Sequence, residues 1–286
     1  MSSTTSTGSS TGSVVTGATE RVTGATERDP FSPRPRDLRP VRTEPNGRRV
    51  RVFFNGQVIA DSIRTLYVFE AGHLPVYYFP RPDVRFDLLT PTDHHTSCPR
   101  KGDASYFTIT VGDRRAENAV WAYPEPIPDV ADLADYVAFY WDRADAWYEE
   151  DEQIFVHPRD PYKRVDALPS SRHVEVRVGD EPLADTHHPT LLFETGLPIR
   201  YYLPKLDVRW DLLTPAPTRT RCPYKGEARY WSYEGPDGTR IDDIAWSYAE
   251  SIPEIPKIAG LVAFLNERVD LIVDGVRQPR SSTPWS

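Results

Sequence analysis

Short alternating runs of apolar and polar residues predict β-strands along most of this chain. Val50–Phe54 and Val174–Val178 combine β-branched or aromatic residues with polar ones, and a dipeptide typical of tight turns follows each run. Leu66–Glu70 and Val76–Phe79 also read as strands, separated by glycine and proline. The many prolines argue against long helices. The chain is therefore predicted to be mostly β.

An internal repeat organises this pattern. When the chain is shifted by 124 residues, Arg48–Phe107 overlies Arg172–Trp231 without a gap, and 26 of the 60 positions are identical. One extra residue in the second copy then shifts the match to 125, which aligns Trp121 with Trp246. A repeat of this length is a whole folding unit. We therefore expect two antiparallel β modules in tandem, related by pseudo-symmetry.

The last part of each copy has a pattern with two interpretations. Asp129–Tyr148 places apolar residues at a spacing compatible with an amphipathic helix. The second copy puts Gly260 inside such a helix, and there Gly260–Leu265 and Val269–Val273 read as two strands around a polar turn. Because the two copies should share a fold, a β-hairpin is predicted for both.

The repeat also sets the predicted domain boundaries. Residues 47–148 form the first module and 172–276 the second. The segment 149–171 is not rich in glycine or serine, so it is predicted to be an ordered connection rather than a loose tether. Residues 277–286 are expected to be a C-terminal tail.

The N-terminal 46 residues have a different composition. Residues 1–46 are rich in Ser, Thr and Gly and then in Pro and Arg, and the heptapeptide Val15–Arg21 recurs at once as Val22–Arg28. Each heptapeptide has too few apolar residues for a coiled-coil seam. This segment is predicted to be a disordered, dispensable tail.

Bulk composition narrows the classes of protein. Hydrophobic residues make up 39% and charged residues 27%, with a net charge of −8, so a packed core is possible and a general nucleic-acid binder is not expected. The two cysteines are too few for a secreted disulfide framework. The sequence shows neither a signal peptide nor a long apolar run. We expect a cytoplasmic protein without a membrane partner.

A specific set of motifs occurs in both copies. In the first it is Asn55-Gly56, Ala60-Asp61, Glu70, Gly72, Tyr77-Tyr78-Phe79-Pro80, Cys98-Pro99-x-Lys101-Gly102, Trp121-x-Tyr123 and Val137-Ala138-Phe139. In the second it includes Cys222-Pro223-Tyr224-Lys225-Gly226-Glu227-Ala228, Tyr230-Trp231 and Asp243-Ile244-Ala245-Trp246-Ser247-Tyr248. This pattern resembles the domain of unknown function 427 family in its two-copy form, over nearly all of residues 48–275.

The resemblance implies a β-tent-like, mostly antiparallel fold. Other β-tent proteins bind zinc through two Cys-x-x-Cys motifs, which this sequence lacks, and some hold a ligand in an aromatic cage. The family sometimes carries a nucleotidyltransferase label. Nucleotidyl transfer needs a phosphate cradle and metal-holding carboxylates, but the sequence has no Gly-rich phosphate loop, and Asp242-Asp243 matches Glu117-Asn118 in the first copy. No metal and no cofactor are expected.

The repeated Cys-Pro-x-Lys-Gly loop carries the first candidate chemistry. Lys101 and Lys225 stand close in sequence to Cys98 and Cys222, and a nearby cation favours the thiolate, so either cysteine is a candidate nucleophile. The lysine beside a glycine is also a candidate for binding an anionic ligand group. The alternative is a buried apolar cysteine with a solvated or ion-paired lysine.

Aromatic and acidic residues recur around that loop. Candidate pocket walls are Tyr106, Trp121 and Tyr123 in the first copy and Tyr230, Trp231, Trp246 and Tyr248 in the second. The acids Asp185 and Glu194 are candidates to lie near Lys225. Rings that only build the core, and acids that only form salt bridges or caps, are the alternative interpretation.

Three functions remain open from the sequence. The first is a duplicated small-molecule-binding module whose site in the second copy is formed by Cys222, Lys225, Tyr230, Trp246 and Tyr248. The second is an enzyme that uses a reactive Cys or Lys of the loop. The third is a structural or interaction scaffold. The sequence does not indicate an oligomeric state.

Overall fold

The computed structural model describes residues 40–281 and 283, and these form two modules with the same architecture. Each module has a seven-stranded and a four-stranded antiparallel sheet. The predicted mostly β, tandem fold is confirmed. Most of the predicted N-terminal tail, residues 1–39, lies outside the described residues. In the described part of the chain, no helix is long and apolar enough to cross a membrane.

Eleven strands of the described chain belong to the first module, with 3-10 helices at Arg81–Asp83, Phe86–Leu88, Pro128–Asp135 and Trp141–Arg143. The strands are β1 (Val41–Pro45), β2 (Val50–Phe54), β3 (Gln57–Ser62), β4 (Leu66–Glu70), β5 (Val76–Pro80), β6 (Leu89–Cys98), β7 (Gly102–Val111), β8 (Arg114–Ala122), β9 (Tyr136–Phe139), β10 (Ala146–Glu149) and β11 (Glu152–Ile154).

The second module has the matching strands, with 3-10 helices at Lys205–Asp207, Trp210–Leu212 and Pro256–Ile258. Its strands are β12 (Val165–Pro169), β13 (Val174–Val178), β14 (Glu181–Thr186), β15 (Thr190–Glu194), β16 (Arg200–Leu203), β17 (Leu213–Cys222), β18 (Gly226–Glu234), β19 (Arg240–Ser251), β20 (Val262–Phe264), β21 (Asp270–Val273) and β22 (Val276–Arg277).

Strand order is the same in both modules. The large sheets run β1-β4-β5-β9-β8-β7-β6 and β12-β15-β16-β20-β19-β18-β17. Both small sheets, written from the same edge, run β3-β2-β10-β11 and β14-β13-β21-β22. In the first small sheet β2 lies between β3 and β10, and in the second small sheet β13 lies between β14 and β21 in the same way. The internal repeat is therefore a repeat of topology as well as of sequence.

Each large sheet buries both of its faces, which gives each module two apolar layers. Successive side chains of a strand point to opposite faces, so Tyr77 and Phe79 of β5 pack against the small sheet while Tyr78 packs on the outer face. The outer layer of the first module is closed by Val130 and Leu133 of the 3-10 helix Pro128–Asp135. The repeated aromatics of the candidate site lie mostly in these outer layers.

The predicted hairpin at the end of each copy is wrong in its pairing, although its strands are present. β9 pairs with β5 and β8 in the large sheet, whereas β10 pairs with β2 and β11 in the small sheet. β20 and β21 are divided between sheets in the same way. The turn between the two strands carries the chain from the large sheet to the small sheet. The strands are therefore consecutive in sequence but do not pair with each other, which the local pattern could not show.

The predicted tail also extends too far. Val41–Pro45 forms β1, which pairs with β4, and Val41 is 4% exposed. Val165–Pro169 forms the equivalent β12, so the predicted connection 149–171 contains the last strand of the first module and the first strand of the second. The segment between the modules is therefore residues 155–164.

Candidate functional site

The Cys-Pro-Tyr-Lys-Gly loop joins β17 to β18. Cys222 pairs with Gly226, and the Lys225 amide donates to the Cys222 carbonyl at 3.3 Å. Gly226 has φ +111°, and a Cβ there would lie 3.0 Å from the Glu250 carbonyl oxygen, so only glycine fits without strain. The loop is thus a tight hairpin turn held close to β19.

Lys225 is anchored by a buried ion pair. Its ammonium donates to the carboxylate of Glu194 in β15, and the side chains are only 11% and 5% exposed. Lys163 from the connecting segment reaches the other oxygen of Glu194 at 3.1 Å. Burial alone would raise the pKa of Glu194, but the two lysines outweigh burial and hold that pKa below its usual value. The lysine ammonium is therefore engaged by protein.

The aromatic residues near the loop form a packed layer. Tyr230 and Trp246 face each other across β18 and β19, and the Trp246 indole donates to the Tyr202 hydroxyl at 3.2 Å. Trp246 and Tyr248 are 7% and 5% exposed, and burial raises the pKa of Tyr248 well above its ordinary value. The hydroxyl of Tyr230 lies 2.8 Å from that of Thr220. These rings pack together in one apolar layer of the second module.

Two predicted site residues lie elsewhere. Trp231 points to the opposite face of the sheet, where its ring is 5.3 Å from that of Trp210 in an edge-on contact. The reason is alternation, because Trp231 follows Tyr230 in one strand. Asp185 lies in the small sheet, with a carboxylate oxygen 2.7 Å from His173 and a 66% exposed side chain. Of the two predicted acids, Glu194 is therefore the partner of Lys225.

The first module repeats this arrangement. Lys101 donates to Glu70, and its ammonium lies 5.8 Å from the centre of the Tyr123 ring. Trp121 donates to the Tyr78 hydroxyl at 3.0 Å, as Trp246 does to Tyr202.

The remaining candidates of the first module pack in its outer layer. The Tyr106 hydroxyl lies 2.8 Å from that of Thr96. Cys98 is partly buried and packs against the outer apolar layer.

A cavity lies beside the loop of the second module. About 200 Å³ of space lies between the loop and the chain that leaves the first module. The loop contributes Cys222, Pro223 and Gly226, and the other wall contains Ile154, Phe155 and Arg159. Lys225, Tyr230, Trp246 and Tyr248 do not line this space. We call it the junction cavity.

The connecting segment is fixed to the loop by specific contacts. Arg159 donates from Nε to the Pro223 carbonyl at 3.0 Å and from its terminal nitrogens to Glu152 and Glu254. The Asp160 amide donates to the Tyr224 hydroxyl at 2.7 Å, and burial raises the pKa of Tyr224 to about 12. One residue, Arg159, thus ties together the last strand of the first module and the loop of the second.

Phe155 and Arg159 line the cavity but were not among the residues predicted from the sequence. The guanidinium of Arg221, which also lines the cavity, lies 4.5 Å from the centre of the Phe155 ring. These residues stand in the connection, where the internal alignment gives no comparison. The only indication in the sequence was that this segment is not rich in glycine or serine, which predicted an ordered connection. Among residues 40–281 and 283, no cluster of three or more His, Cys, Asp and Glu side chains could hold a metal ion.

A protein-family model matches each of the two modules. The model of a domain of unknown function, DUF427, matches residues 42–150 and again 166–275. The chain therefore belongs to the DUF427 family in a tandem two-copy form. The first match begins within β1 and the second within β12, in agreement with the observed module boundaries. A search of curated proteins finds no match.

Proposed function

We propose that this chain is a duplicated small-molecule-binding protein whose ligand occupies the junction cavity. The carrying observation is the composition of the cavity wall, in which the Cys222–Gly226 loop of one module faces Phe155 and Arg159 from the other side. Sites at the junction of two units are common places for ligands. The duplication would then be required for function, because the site is built from parts of both modules.

The cavity wall indicates the shape of the ligand. Ile154, Phe155, Pro223 and Ile252 give it an apolar surface, while arginine and glutamate side chains stand at its polar side. About 200 Å³ is small for an organic ligand. We infer a small planar compound with one polar edge, lying against the Phe155 ring.

Lys225 has an indirect role in this proposal. The sequence suggested that its ammonium contacts the ligand, but that group is engaged by Glu194 and lies outside the cavity wall. Lys225 instead holds the loop that carries Cys222 and Pro223. The ion pair is therefore a positioning feature, and substitutions of Lys225 act through the loop.

Cys222 provides an internal reporter for the proposal. We would screen a library of small planar fragments on the full chain and follow alkylation of both cysteines by iodoacetamide with peptide mass spectrometry. Fragments that enter the junction cavity should slow alkylation of Cys222 saturably and leave Cys98 unchanged. If no fragment protects Cys222, or if every protective fragment slows both cysteines equally, the junction cavity is not the ligand site.

A further inference from the structure

A buried serine of the second module has an unsatisfied hydroxyl. Ser247 in β19 is 2% exposed, and its hydroxyl has no hydrogen-bond partner among the described residues. Its equivalent in the first module is Ala122, which is fully buried. A buried hydroxyl without a partner costs stability, whereas alanine at the same place does not. Departures of this kind from a module's own core pattern are expected at functional sites.

Two arginines stand in line with this serine across the sheet. Arg229 of β18 pairs directly with Ser247, and Arg219 of β17 pairs directly with Arg229. Side chains paired in this way point to the same face of the sheet, with Cβ atoms about 5 Å apart. Val262 of β20 flanks Ser247 on its other side. The hydroxyl is therefore directed to the face that carries the arginines.

The two arginines have no acidic partner. Arg229 is exposed and makes no ion pair or side-chain hydrogen bond within the described part of the chain. Arg219 uses one terminal nitrogen to donate to two backbone carbonyls of its own strand, at 3.0 and 2.7 Å. Glu227, the acid two residues before Arg229, is paired with Arg221 at 2.9 Å. Like charges directly opposite each other destabilise a strand pair, and a bound anion would remove that repulsion.

A third cation lies near the same strand. The Lys205 ammonium is 4.0 Å from the position that a Cβ would occupy on Gly260, and the Gly260 amide donates to the Tyr248 carbonyl at 2.7 Å. Tyr248 follows Ser247 in β19. Lys205 is exposed and forms no ion pair with any residue that the structure describes. Its positive charge therefore adds to that of the two arginines.

The first module has the same strand register without this set of side chains. Ser105 pairs with Ala122, and His95 pairs with Ser105, in the positions equivalent to the serine and the two arginines. The His95 ring nitrogen lies 3.5 Å from the Ser105 hydroxyl, so these two side chains contact each other. The arginine pair and the buried hydroxyl thus occur together in one module on a backbone that both modules share.

We propose that Arg219, Arg229 and Ser247 bind a phosphate group, and we call this the Arg229 site. Guanidinium groups present paired N–H donors that match phosphate oxygens, and the serine hydroxyl is a further donor within reach of an oxyanion held by Arg229. Lys205 contributes charge from the neighbouring 3-10 helix. None of these four residues lines the junction cavity, so the inference does not depend on that cavity being a ligand site.

The test is a titration of the full chain with inorganic phosphate at constant ionic strength, followed by TROSY NMR, with acetate and chloride as comparison anions. Phosphate should shift amide resonances around Ser247 saturably and leave those around Ala122 of the first module unchanged. Arg229→Ser copies the first module and should weaken phosphate binding by about tenfold or more.

Matched controls separate a ligand role from a structural one. The Ser247 hydroxyl makes no bond in the fold, so Ser247→Ala should keep or raise the melting temperature while it weakens phosphate binding. Arg240→Ser removes an exposed arginine elsewhere in β19 and should leave phosphate affinity unchanged. The proposal is overturned if no saturable phosphate binding occurs, if acetate binds as tightly, or if either Arg229→Ser or Ser247→Ala weakens binding no more than Arg240→Ser.

Discussion

Lys225 donates to Glu194 of β15 in the second module, and Lys101 and Glu70 form the same ion pair in the first. The lysine of the Cys-Pro-x-Lys-Gly motif therefore anchors a hairpin turn to a strand of the same sheet with which the hairpin does not pair. This explains why a lysine next to a glycine recurs in both copies without a ligand. In the second module Lys163 joins the pair and connects it to the segment between the modules.

Lys225→Met should destabilise the protein. It leaves Glu194, whose side chain is 5% exposed, with Lys163 as its remaining cation. Removing one partner of a buried pair costs about 3 kcal/mol, and Lys163 should reduce this to about 2 kcal/mol. Urea unfolding of the full chain measures the change. The double variant Lys225→Met, Glu194→Met should recover much of the loss, and a single variant as stable as wild type would contradict the anchoring role.

Acid should destabilise the second module through Glu267. Burial would raise the pKa of Glu267, but hydrogen bonds from Arg200 and Thr283 prevail and hold that pKa at about 2. A carboxyl with a lowered folded pKa stabilises the fold above its unfolded pKa of about 4.5 and loses that contribution as pH falls toward 2. We expect about 3 kcal/mol of stability to be lost in this window.

Glu267→Gln is the control for that prediction. It should be less stable than wild type at pH 7 and show a flatter dependence between pH 4.5 and 2. Urea unfolding at several pH values measures both slopes. Equal slopes for the two proteins would mean that Glu267 does not control acid sensitivity in this range.

The position of β1 changes the expected effect of N-terminal truncation. Removing residues 1–39 should leave the melting temperature unchanged, because the first module begins after them. Removing residues 1–46 also deletes β1 and Asn46, whose side chain donates to Thr65 at 3.1 Å in a buried hydrogen bond. We expect this longer deletion to lower the melting temperature by several degrees. Scanning calorimetry of both truncations gives the comparison, and equal values would show that β1 contributes little.

Much of the fold could be predicted because the repeat constrains it. Alternation in Val50–Phe54 and Val174–Val178 identified strands that the structure has with the same bounds. The strand β1 was missed because the tail's proline- and arginine-rich composition outweighed a short match, in which Val41 and Pro45 align with Val165 and Pro169. The pairing partners of the strands, and the sheet to which each strand belongs, could not be predicted, because a local pattern identifies strands but not their neighbours.

The candidate site could be predicted in part for the same reason. Tyr230, Trp246 and Tyr248 lie in one apolar layer, since their spacing along two neighbouring strands puts them on one face. Whether such rings fill a layer or line a cavity depends on packing from distant segments, which no local pattern shows. Arg159 closes the junction cavity through hydrogen bonds to Pro223 and Glu254, which lie 64 and 95 residues further along the chain.

The most direct test of the junction site combines Arg159→Ala with the cysteine reporter. Arg159 ties the connecting segment to the Pro223 carbonyl, so its loss should open the cavity on that side. Cys222 should then be alkylated several times faster than in wild type, fragments should no longer protect it, and Cys98 should react at its wild-type rate. Unchanged Cys222 reactivity together with retained fragment protection would contradict a ligand site built from both modules.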